Sequence, residues 1–453
     1  MMPKRRRGPT GLAGFTIVWF GQFMSMLGSG MTGFAITIWA YELTGKASAL
    51  ALVGFFSFAP VIAFSPLAGA IVDRVSRKLV MAASDIGAGL ATVALLVLQG
   101  TGHLQLWHLF VTGFLAGALG AFQFPAYSAA VTTMVDKKHY ARTSGMLGLA
   151  DSASGIIAPI LGGGLYFLIG LRGIMLVDLA TLAVALGALV IVHIPEPKRE
   201  EIAAATSSLW SDCVFGFKYI IARRSLLGIQ LLMLGVNFVS TFGFAVVAPM
   251  ILARTGNNSV VFGAVEMAGS VGGLAGGAVM ALWGGAKRKI HGVLLGMALA
   301  GIGSLLLGVG QGIVAWWAGS FIATFMAVSI VNGSNQAIWQ SKVPPAIQGR
   351  VFATRRMIAQ GMIPVATLSA GFCADQVFEP LMRSGSPTAS ALGHIVGIGP
   401  GAGMGLMLVL AAVLRIAISL GGYAFPAVRN VETLIPDHDA VSECVANAPE
   451  AAG

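Results

Sequence analysis

Long apolar stretches dominate the chain, and each is close to the length of about 20 residues that a helix needs to cross a bilayer core. Twelve such stretches follow one another, separated by short polar segments. They are 12–41, 49–72, 79–99, 106–134, 141–169, 172–194, 226–252, 260–284, 290–310, 313–340, 350–378 and 401–425. The pattern predicts an all-α polytopic membrane protein with twelve transmembrane helices.

The polar segments divide the twelve stretches into two sets of six. A short tail, 1–11, precedes a first six-helix bundle, 12–194, and the loop 195–225 with its PEPKREE sequence separates that bundle from a second one, 226–425. The remaining residues, 426–453, form a polar tail. We therefore expect five segments, with both tails and the central loop on the cytoplasmic side.

Two basic loops occupy equivalent places in the two sets. DRVSRK at 73–78 lies between spans two and three, and GGAKRK at 284–289 lies between spans eight and nine. Two six-helix halves related along the membrane normal are a common architecture of secondary carriers, with the binding site at their interface. The two similar loops predict pseudo-symmetric halves. The alternative is that short cytoplasmic loops resemble one another only because the positive-inside rule enriches all of them in Lys and Arg.

Composition excludes an ordinary soluble protein. Charged residues make up 10% of the 453 residues and the AVILMFWYC set 56%, while the mean hydropathy is +0.83. Soluble domains carry about 25% charged residues. Three cysteines, at 213, 373 and 444, are too few and too scattered for a disulfide framework or a thiolate metal site. No metal or cofactor is expected.

The net charge of +10 follows from topology and does not indicate a nucleic-acid partner. With the N-terminus inside, the inner segments hold 23 of the 28 Lys and Arg residues and the outer segments hold four. This asymmetry obeys the positive-inside rule. We expect an inner (plasma) membrane location, cytoplasmic N- and C-termini, and contacts between the basic loops and membrane lipids.

The loop after span two resembles the cytoplasmic loop signature of the major facilitator superfamily. The matching positions are Gly69, Asp73, Arg74, Arg77 and Lys78. Glycine allows two helix ends to approach closely, and an acidic residue can bridge arginine and helix termini. The resemblance implies a cytoplasmic gate, and we expect Asp85 in span three to belong to the same network.

Span five resembles the antiporter motif of that superfamily. It matches at Gly145, Pro159, Gly162 and Gly163, whereas Ser154 and Ala158 occupy two positions that are glycine in the motif. The segment also reads as a small-residue helix-packing seam with a proline kink. The resemblance implies antiport, and the two departures weaken that implication.

Further segments resemble the branch of the superfamily that contains macrolide-efflux and enterobactin-exporter proteins. They are FPAYSAA in span four, NQAIWQ and QGRVFA on either side of the ten–eleven loop, and ADQVFEPL after span eleven. The branch exports amphipathic small molecules, usually against a proton gradient. The resemblance implies a transport class and a direction, without a particular ligand.

Carboxylates inside the spans are candidates for carrying the coupled proton, because an ionised side chain in hydrocarbon is costly and usually functional. Asp151 lies about 15 Å into span five, near the expected midplane, and is the first choice. Glu266 in span eight and Asp178 in span six are the other candidates. For each, a permanently hydrogen-bonded structural role is the alternative.

A second group of residues is expected to line a substrate cavity. Gln22 and Asn237 lie near mid-depth in spans one and seven, and either could bind substrate or join helices. Phe23, Met26, Phe242 and Trp339 would supply apolar walls. Arg415 in span twelve either pairs with a carboxylate of the second half or contacts an anionic substrate.

Together these features predict a proton-coupled exporter of hydrophobic or amphipathic small molecules, a monomer driven by the proton gradient. Uptake of a nutrient by a symporter or facilitator of the same fold is the main alternative. A non-transporting receptor is more remote. So is a membrane enzyme, because the sequence contains no GxSxG, HExxH or P-loop pattern.

Overall fold

The computed structural model describes residues 9–72, 75–135, 140–195, 209–382 and 386–437, which are helical with short connections. The helices of the N-terminal part are α1 Gly11–Thr44, α2 Ala47–Val72, α3 Arg77–Gly100, α4 Leu106–Met134, α5 Tyr140–Ile191, α6 Leu209–Ile221, α7 Arg224–Phe244, α8 Val247–Thr255, α9 Ser259–Trp283 and α10 Lys289–Val309. Those that follow are α11 Ile313–Thr324, α12 Asn332–Lys342, α13 Pro345–Gly361, α14 Ile363–Cys373, α15 Glu379–Leu381, α16 Pro387–Val396, α17 Ala402–Gly421, α18 Pro426–Arg429 and α19 Val431–Leu434. Two π-helical segments, Phe325–Val331 and Ala374–Phe378, continue α11 and α14.

The described residues contain twelve candidate membrane spans, as the sequence predicts. Eleven helical stretches of the described residues are long and apolar enough to cross a bilayer, and one of them, Leu149–Ile191, has 43 residues. At about 1.5 Å per residue that stretch is roughly twice as long as a bilayer core is thick. It breaks at Gly170, whose φ of 62° and ψ of −175° are not helical. The stretch therefore contains two spans, and the break falls where the sequence places the end of span five.

The described residues pack as two compact units. The first comprises the described residues up to 195 together with Ala248–Met267 and Ala370–Gln376. The second comprises the described residues among 209–247, Ala268–Ser369 and the described residues from Val377 to 437. The boundaries predicted from the sequence for the five segments stay a prediction.

Small residues hold α1 and α5 together in the first unit. A Cβ atom added at Gly21 would lie 2.8 Å from the Cβ of Ala188, and one added at Gly30 would lie 2.8 Å from the Cβ of Ala158. Membrane helices associate through such close approaches because lipid tails provide no hydrophobic driving force. Phe15, which is fully buried, packs with neighbouring apolar residues at one end of this seam.

In the second unit, α10 and α11 also approach each other closely at small residues. A Cβ at Gly303 would lie 2.8 Å from the carbonyl oxygen of Gly319, and a Cβ at Gly319 would lie 2.7 Å from the carbonyl oxygen of Gly303. The backbones therefore touch directly. A larger apolar core of this unit involves the first half of α10 and includes Trp339, whose side chain is completely buried.

Three acidic residues bind backbone N–H groups at the starts of helices. Asp375 accepts from Ala47 and Ser48 at 3.0 and 2.8 Å, at the start of α2. Glu379 accepts from Gly401 and Met404 at 3.3 and 3.0 Å, at the start of α17. Glu432 accepts from the first two backbone N–H groups of α10, at 3.0 and 3.2 Å. These carboxylates accept from N–H groups that have no partner within the helix, and their negative charge interacts favourably with the positive end of the helix dipole.

Replacement of Gly170 tests the break between spans five and six. Gly170→Ala should lower the free energy of unfolding by about 1–3 kcal/mol, because its φ and ψ lie in a region that essentially only glycine occupies. Gly164→Ala is the matched control, since neither site has an atom within 4 Å of an added Cβ and Gly164 has no positive φ. Thermal unfolding of the purified protein measures both. Equal midpoints for the two variants would contradict the assignment.

Candidate functional site

A cavity of about 180 Å³ lies within the first unit, among α1, α3, α4 and α5; we call it the first cavity. Its polar lining consists of Gln22, Ser25, Ser29, Ser84, Asp85, Gln123 and Asp178. Two of these are carboxylates, and no Lys, Arg or His is among the described residues that line it. Both carboxylates are almost completely buried.

Asp85 is held by two neutral amides. The Nε2 atom of Gln22 donates to Oδ2 at 2.8 Å, and the Nε2 atom of Gln123 donates to Oδ1 at 2.9 Å. Gln123 also donates to the Oε1 atom of Gln22 at 2.8 Å, which closes the triangle. The sequence-based grouping of Asp85 with the loop motif stays a prediction, because Asp73 and Arg74 lie outside the described residues. Counting residues gives a depth of about 12 Å along α3, but does not reveal that the side chain points toward α1 and α4.

Asp178 is held by hydroxyl groups. The Oγ atom of Ser29 donates to Oδ1 at 3.1 Å, and the Oγ1 atom of Thr92 donates to Oδ2 at 3.0 Å. Thr92 lies on α3 about two turns beyond Asp85, a distance of roughly 10 Å along the helix. The two carboxylates therefore occupy different depths of the same unit, joined by polar lining of the cavity.

The loop motif binds helix ends where it can be described. Gly69 lies near the end of α2, and Asp73 and Arg74 lie outside the described residues. Arg77 donates through Nη1 to the Oγ1 atom of Thr133 at 3.2 Å. Lys78 donates through Nζ to the carbonyl oxygens of Val190 and Val192 at 3.3 and 2.9 Å. A cation at a helix C-terminus satisfies carbonyl groups that have no partner within the helix.

The antiporter-like motif forms a packing seam on α5. Its positions are Gly145, Ser154, Ala158, Pro159, Gly162 and Gly163. Ala158 packs against Gly30 of α1, and the carbonyl oxygen of Gly163 accepts a hydrogen bond from the Oγ atom of Ser259 at 2.9 Å. A Cβ added at Gly263 of α9 would lie 2.6 Å from the carbonyl oxygen of Pro159. The packing interpretation accounts for the motif, and its role in antiport stays a prediction.

Asp151 and Glu266 have no partners among the described residues. Asp151 is exposed, because the buried face of α5 runs through Ala150, Ser154 and Ala158. A position near the expected midplane therefore does not make it buried, since depth along a helix does not determine which face a residue occupies. Glu266 is half-buried on α9 and forms no hydrogen bond or ion pair with a described residue. Proton coupling at either residue stays a prediction.

A larger cavity, of about 420 Å³, lies within the second unit; we call it the second cavity. Its polar lining includes Asn237, Ser240, Thr324, Asn332 and Arg415, and its apolar lining includes methionine, valine, alanine and leucine side chains from α7, α10, α11 and α17. The Nδ2 atom of Asn237 donates to the carbonyl oxygen of Ala359 at 3.3 Å. The cavity falls within the range of about 300–1,000 Å³ that is usual for ligand pockets.

Arg415 is 7% exposed, and its guanidinium group forms no hydrogen bond or ion pair with a described residue. Sequence reasoning leaves two alternatives for this residue, a salt bridge within the second half or contact with an anionic ligand. Within the second unit, no described carboxylate lies within 4 Å of it. The first alternative is thus not realised by the described residues.

The four predicted apolar cavity residues have four different surroundings. Met26 lines the first cavity, while Phe23 stacks on Trp19 with ring centroids 5.8 Å apart. Phe242 lines a separate apolar pocket of about 180 Å³ in the second unit. The placement of Trp339 in a substrate cavity is wrong, because this side chain is 0% exposed and belongs to the core of the second unit.

Sequence reasoning did not single out four of the polar residues that shape the cavities: Gln123, Thr92, Ser240 and Asn332. A polar side chain in the middle of an apolar span is the signal that could have found Gln123, which lies on α4 midway along its span. The hydroxyl groups carry no such signal, because serine and threonine commonly bond their own helix backbone. The described residues contain no group of three or more His, Cys, Asp or Glu that could hold a metal ion.

Comparison with known proteins places the chain among transporters. The family model described as Major Facilitator Superfamily matches residues 18–367. Macrolide efflux protein A of Streptococcus pyogenes is 24% identical over 371 residues, 80% of this chain and 90% of that protein. Multidrug resistance protein MdtG of Proteus mirabilis is 30% identical over 171 residues, 37% of this chain and 41% of that protein.

Solved structures show the same fold. A bacterial homologue of the human lysosomal transporter Spinster, crystallised in an inward-facing and unoccupied conformation, superimposes with a TM-score of 0.67. It is 15% identical in sequence, and the match covers 92% of this chain and 98% of that one. The architecture of twelve helices in two six-helix halves is thus confirmed, while the low identity carries nothing about substrate.

Truncation of Trp339 tests its reassignment to the core. Trp339→Ala should lower the free energy of unfolding by about 3–5 kcal/mol, the usual cost of removing a fully buried large aromatic side chain. Phe242→Ala is the control, and it should cost less because one side of that ring already faces an empty pocket. Thermal unfolding in detergent compares the two. A midpoint for Trp339→Ala at or above that of Phe242→Ala would contradict the reassignment.

Proposed function

Because this chain belongs to the major facilitator superfamily and is a transporter of small molecules, not an enzyme, we propose that it exports hydrophobic or amphipathic compounds in exchange for protons. Alternating access between two six-helix halves is the mechanism that this architecture provides. The proton gradient supplies the energy, and the coupled proton binds in the first cavity.

The observation that carries the proposal is the pair of buried carboxylates with neutral partners only. An ionised carboxylate inside a span costs about 2.5–3.5 kcal/mol on insertion scales, and a cation would normally offset that cost. Asp85 is bonded to Gln22 and Gln123, and Asp178 to Ser29 and Thr92. A proton relieves the same cost. These carboxylates are therefore suited to exchanging protons during a transport cycle.

The neutral hydrogen-bond partners of the two carboxylates also suit both the ionised and the protonated form of a carboxyl group. A hydroxyl group can donate to a carboxylate and, after rotation, accept from a carboxylic acid. Asp178 can therefore gain or lose a proton without losing both of its hydrogen bonds. Asp85 is bound by amide N–H groups and is more firmly held as an acceptor, so the two sites would differ in proton affinity and could act in sequence.

Direction and substrate class are supported by the relatives. Streptococcus pyogenes and Enterococcus faecalis proteins named for macrolide efflux match 80% and 71% of this chain. The methionine-containing wall of the second cavity supports broad recognition, because methionine side chains adapt to different ligand shapes. Amphipathic compounds suit a wall that combines such side chains with amides and hydroxyls.

Neutralising the first cavity should uncouple transport. Asp178→Asn and Asp85→Asn should abolish protonophore-sensitive efflux of amphipathic dyes and antibiotics from cells that express the chain. Exchange of labelled substrate across proteoliposome membranes without a gradient should persist, because that step requires substrate binding and no net proton movement. Efflux and exchange are measured on the same variants, with equal amounts of folded protein confirmed by gel filtration.

Asp151→Asn and Glu266→Gln are the matched comparisons, since sequence reasoning assigns the proton to those residues. On the present proposal both retain protonophore-sensitive efflux. Loss of efflux in Asp151→Asn, with unchanged efflux in Asp85→Asn and Asp178→Asn, would move the coupled proton to α5. Accumulation of substrate in energised cells, in place of its depletion, would reverse the proposed direction.

We also propose that the chain resides in the plasma membrane with both termini in the cytoplasm. The distribution of Lys and Arg between alternate loops supports this orientation. A fluorescent protein fused after the last residue should fluoresce, and alkaline phosphatase fused there should be inactive. The same fusions placed after Lys46, in the short loop between α1 and α2, should give the opposite result. Active phosphatase at the C-terminus would refute the orientation.

A further inference from the structure

We propose that the second cavity is a binding site for the carboxylate group of an amphipathic anion, with Arg415 as its principal ligand. This inference rests on the proposed function, because it names the chemical class of one group of transported compounds. It is carried by the surroundings of a single buried cation. The transported compounds that it concerns carry an acidic group next to an apolar body.

Arg415 has no protein counter-ion among the described residues. It lies on α17, 7% exposed, and its guanidinium group makes no hydrogen bond or ion pair with any described side chain or backbone group. A buried charge normally acquires a partner, and inside a membrane span an unpaired one marks a functional pathway. The empty space next to this guanidinium is the second cavity.

The other polar side chains that line the second cavity suit a ligand that only accepts hydrogen bonds. Ser240 lines the same cavity, and its buried Oγ atom has no hydrogen-bond partner. Asn237, Thr324 and Asn332 add amide and hydroxyl donors to the lining. An ionised carboxylate only accepts hydrogen bonds, and guanidinium binds it through two parallel N–H donors. No carboxylate lines this cavity among the described residues, so nothing there repels an anion.

One wall of the cavity is π-helical. Phe325–Val331 follows α11 directly, and Ala327 and Val331 from it line the cavity, as do Thr324 before it and Asn332 after it. Single π-helical turns are rare and occur frequently at functional sites. Here the wider turn sets the position of two polar lining residues, which is a second and independent feature of this wall.

The apolar part of the wall excludes a small inorganic ion as the main ligand. Met233, Val236, Met297, Leu307 and Leu408 face the space that adjoins Arg415. At about 420 Å³, the cavity has room for a body far larger than a carboxylate alone. An anion with an apolar portion fills both parts of the site, whereas a hydrated ion would leave the apolar part empty.

Binding of a matched set of fluorescent probes tests the proposal. Dansylglycine, dansylamide and dansylcadaverine share one apolar fluorophore and carry an anionic, a neutral and a cationic group. Titration of the purified full chain in phosphatidylcholine nanodiscs gives a dissociation constant for each probe. Arg415→Gln should raise the constant for dansylglycine about tenfold or more, as expected for loss of a charge-assisted pair, and leave those for the other two probes within twofold.

Two further variants keep the test decisive. Arg356→Gln is the matched control, because Arg356 is exposed, bonds Gln360 and does not line the cavity; its three constants should not change. If Arg415→Gln fails to fold, Ser240→Asp replaces it by placing a carboxylate in the cavity. That variant should lose dansylglycine and retain dansylamide.

Three outcomes would overturn the proposal. Equal weakening of all three probes in Arg415→Gln would show a structural role. Unchanged dansylglycine binding in Arg415→Gln or Ser240→Asp would exclude the site. Loss of dansylglycine binding when phosphatidylglycerol is added to the nanodisc would assign the cavity to a lipid headgroup.

The binding assay uses no gradient, so its result is independent of the proposed export. Arg415-dependent binding of dansylglycine without protonophore-sensitive efflux would refute export and retain the anion site. Efflux of neutral and cationic dyes together with Arg415-independent binding would retain export and refute the anion site.

Discussion

Hydrocarbon cannot form hydrogen bonds, and this constraint determines where the few charged side chains of the chain lie. Helices satisfy their own backbone except at their ends. Asp375, Glu379 and Glu432 bind the free N–H groups at helix starts, and Lys78 binds free carbonyl groups at a helix end. These four charges therefore complete helix ends, where each also interacts favourably with the helix dipole.

Three buried charged side chains do not bind a helix end among the described residues. Among the described residues, Asp85 and Asp178 in the first unit have no cationic partner, and Arg415 in the second unit has no anionic one. Each lines a cavity of its own unit. On the proposals made above, the acids of the first unit would bind protons and the base of the second unit would bind an organic anion. Each unit by itself would then supply one half of the chemistry of coupled transport.

The sequence predicts the architecture well, because span length and loop charge are set by the bilayer and can be counted. Even the break at Gly170 falls where the apolar run ends. The sites were harder to predict. Asp151 and Ala150 are neighbours, yet one is exposed and the other buried, since successive residues point in directions about 100° apart on a helix. α5 is apolar all round and gives no pattern to indicate which face is buried, so the exposure of Asp151 could not be predicted. Trp339 was misplaced because its burial in the core follows from packing that the sequence does not show.

Arg415 also bears on how the chain is made. α17 is the last of the twelve spans to leave the ribosome, and its arginine makes insertion less favourable than the rest of its apolar sequence would allow. Its neighbours α7 and α10 are synthesised earlier and line the cavity that Arg415 also lines. The order of synthesis therefore places the span that carries the buried cation after the helices that accommodate it.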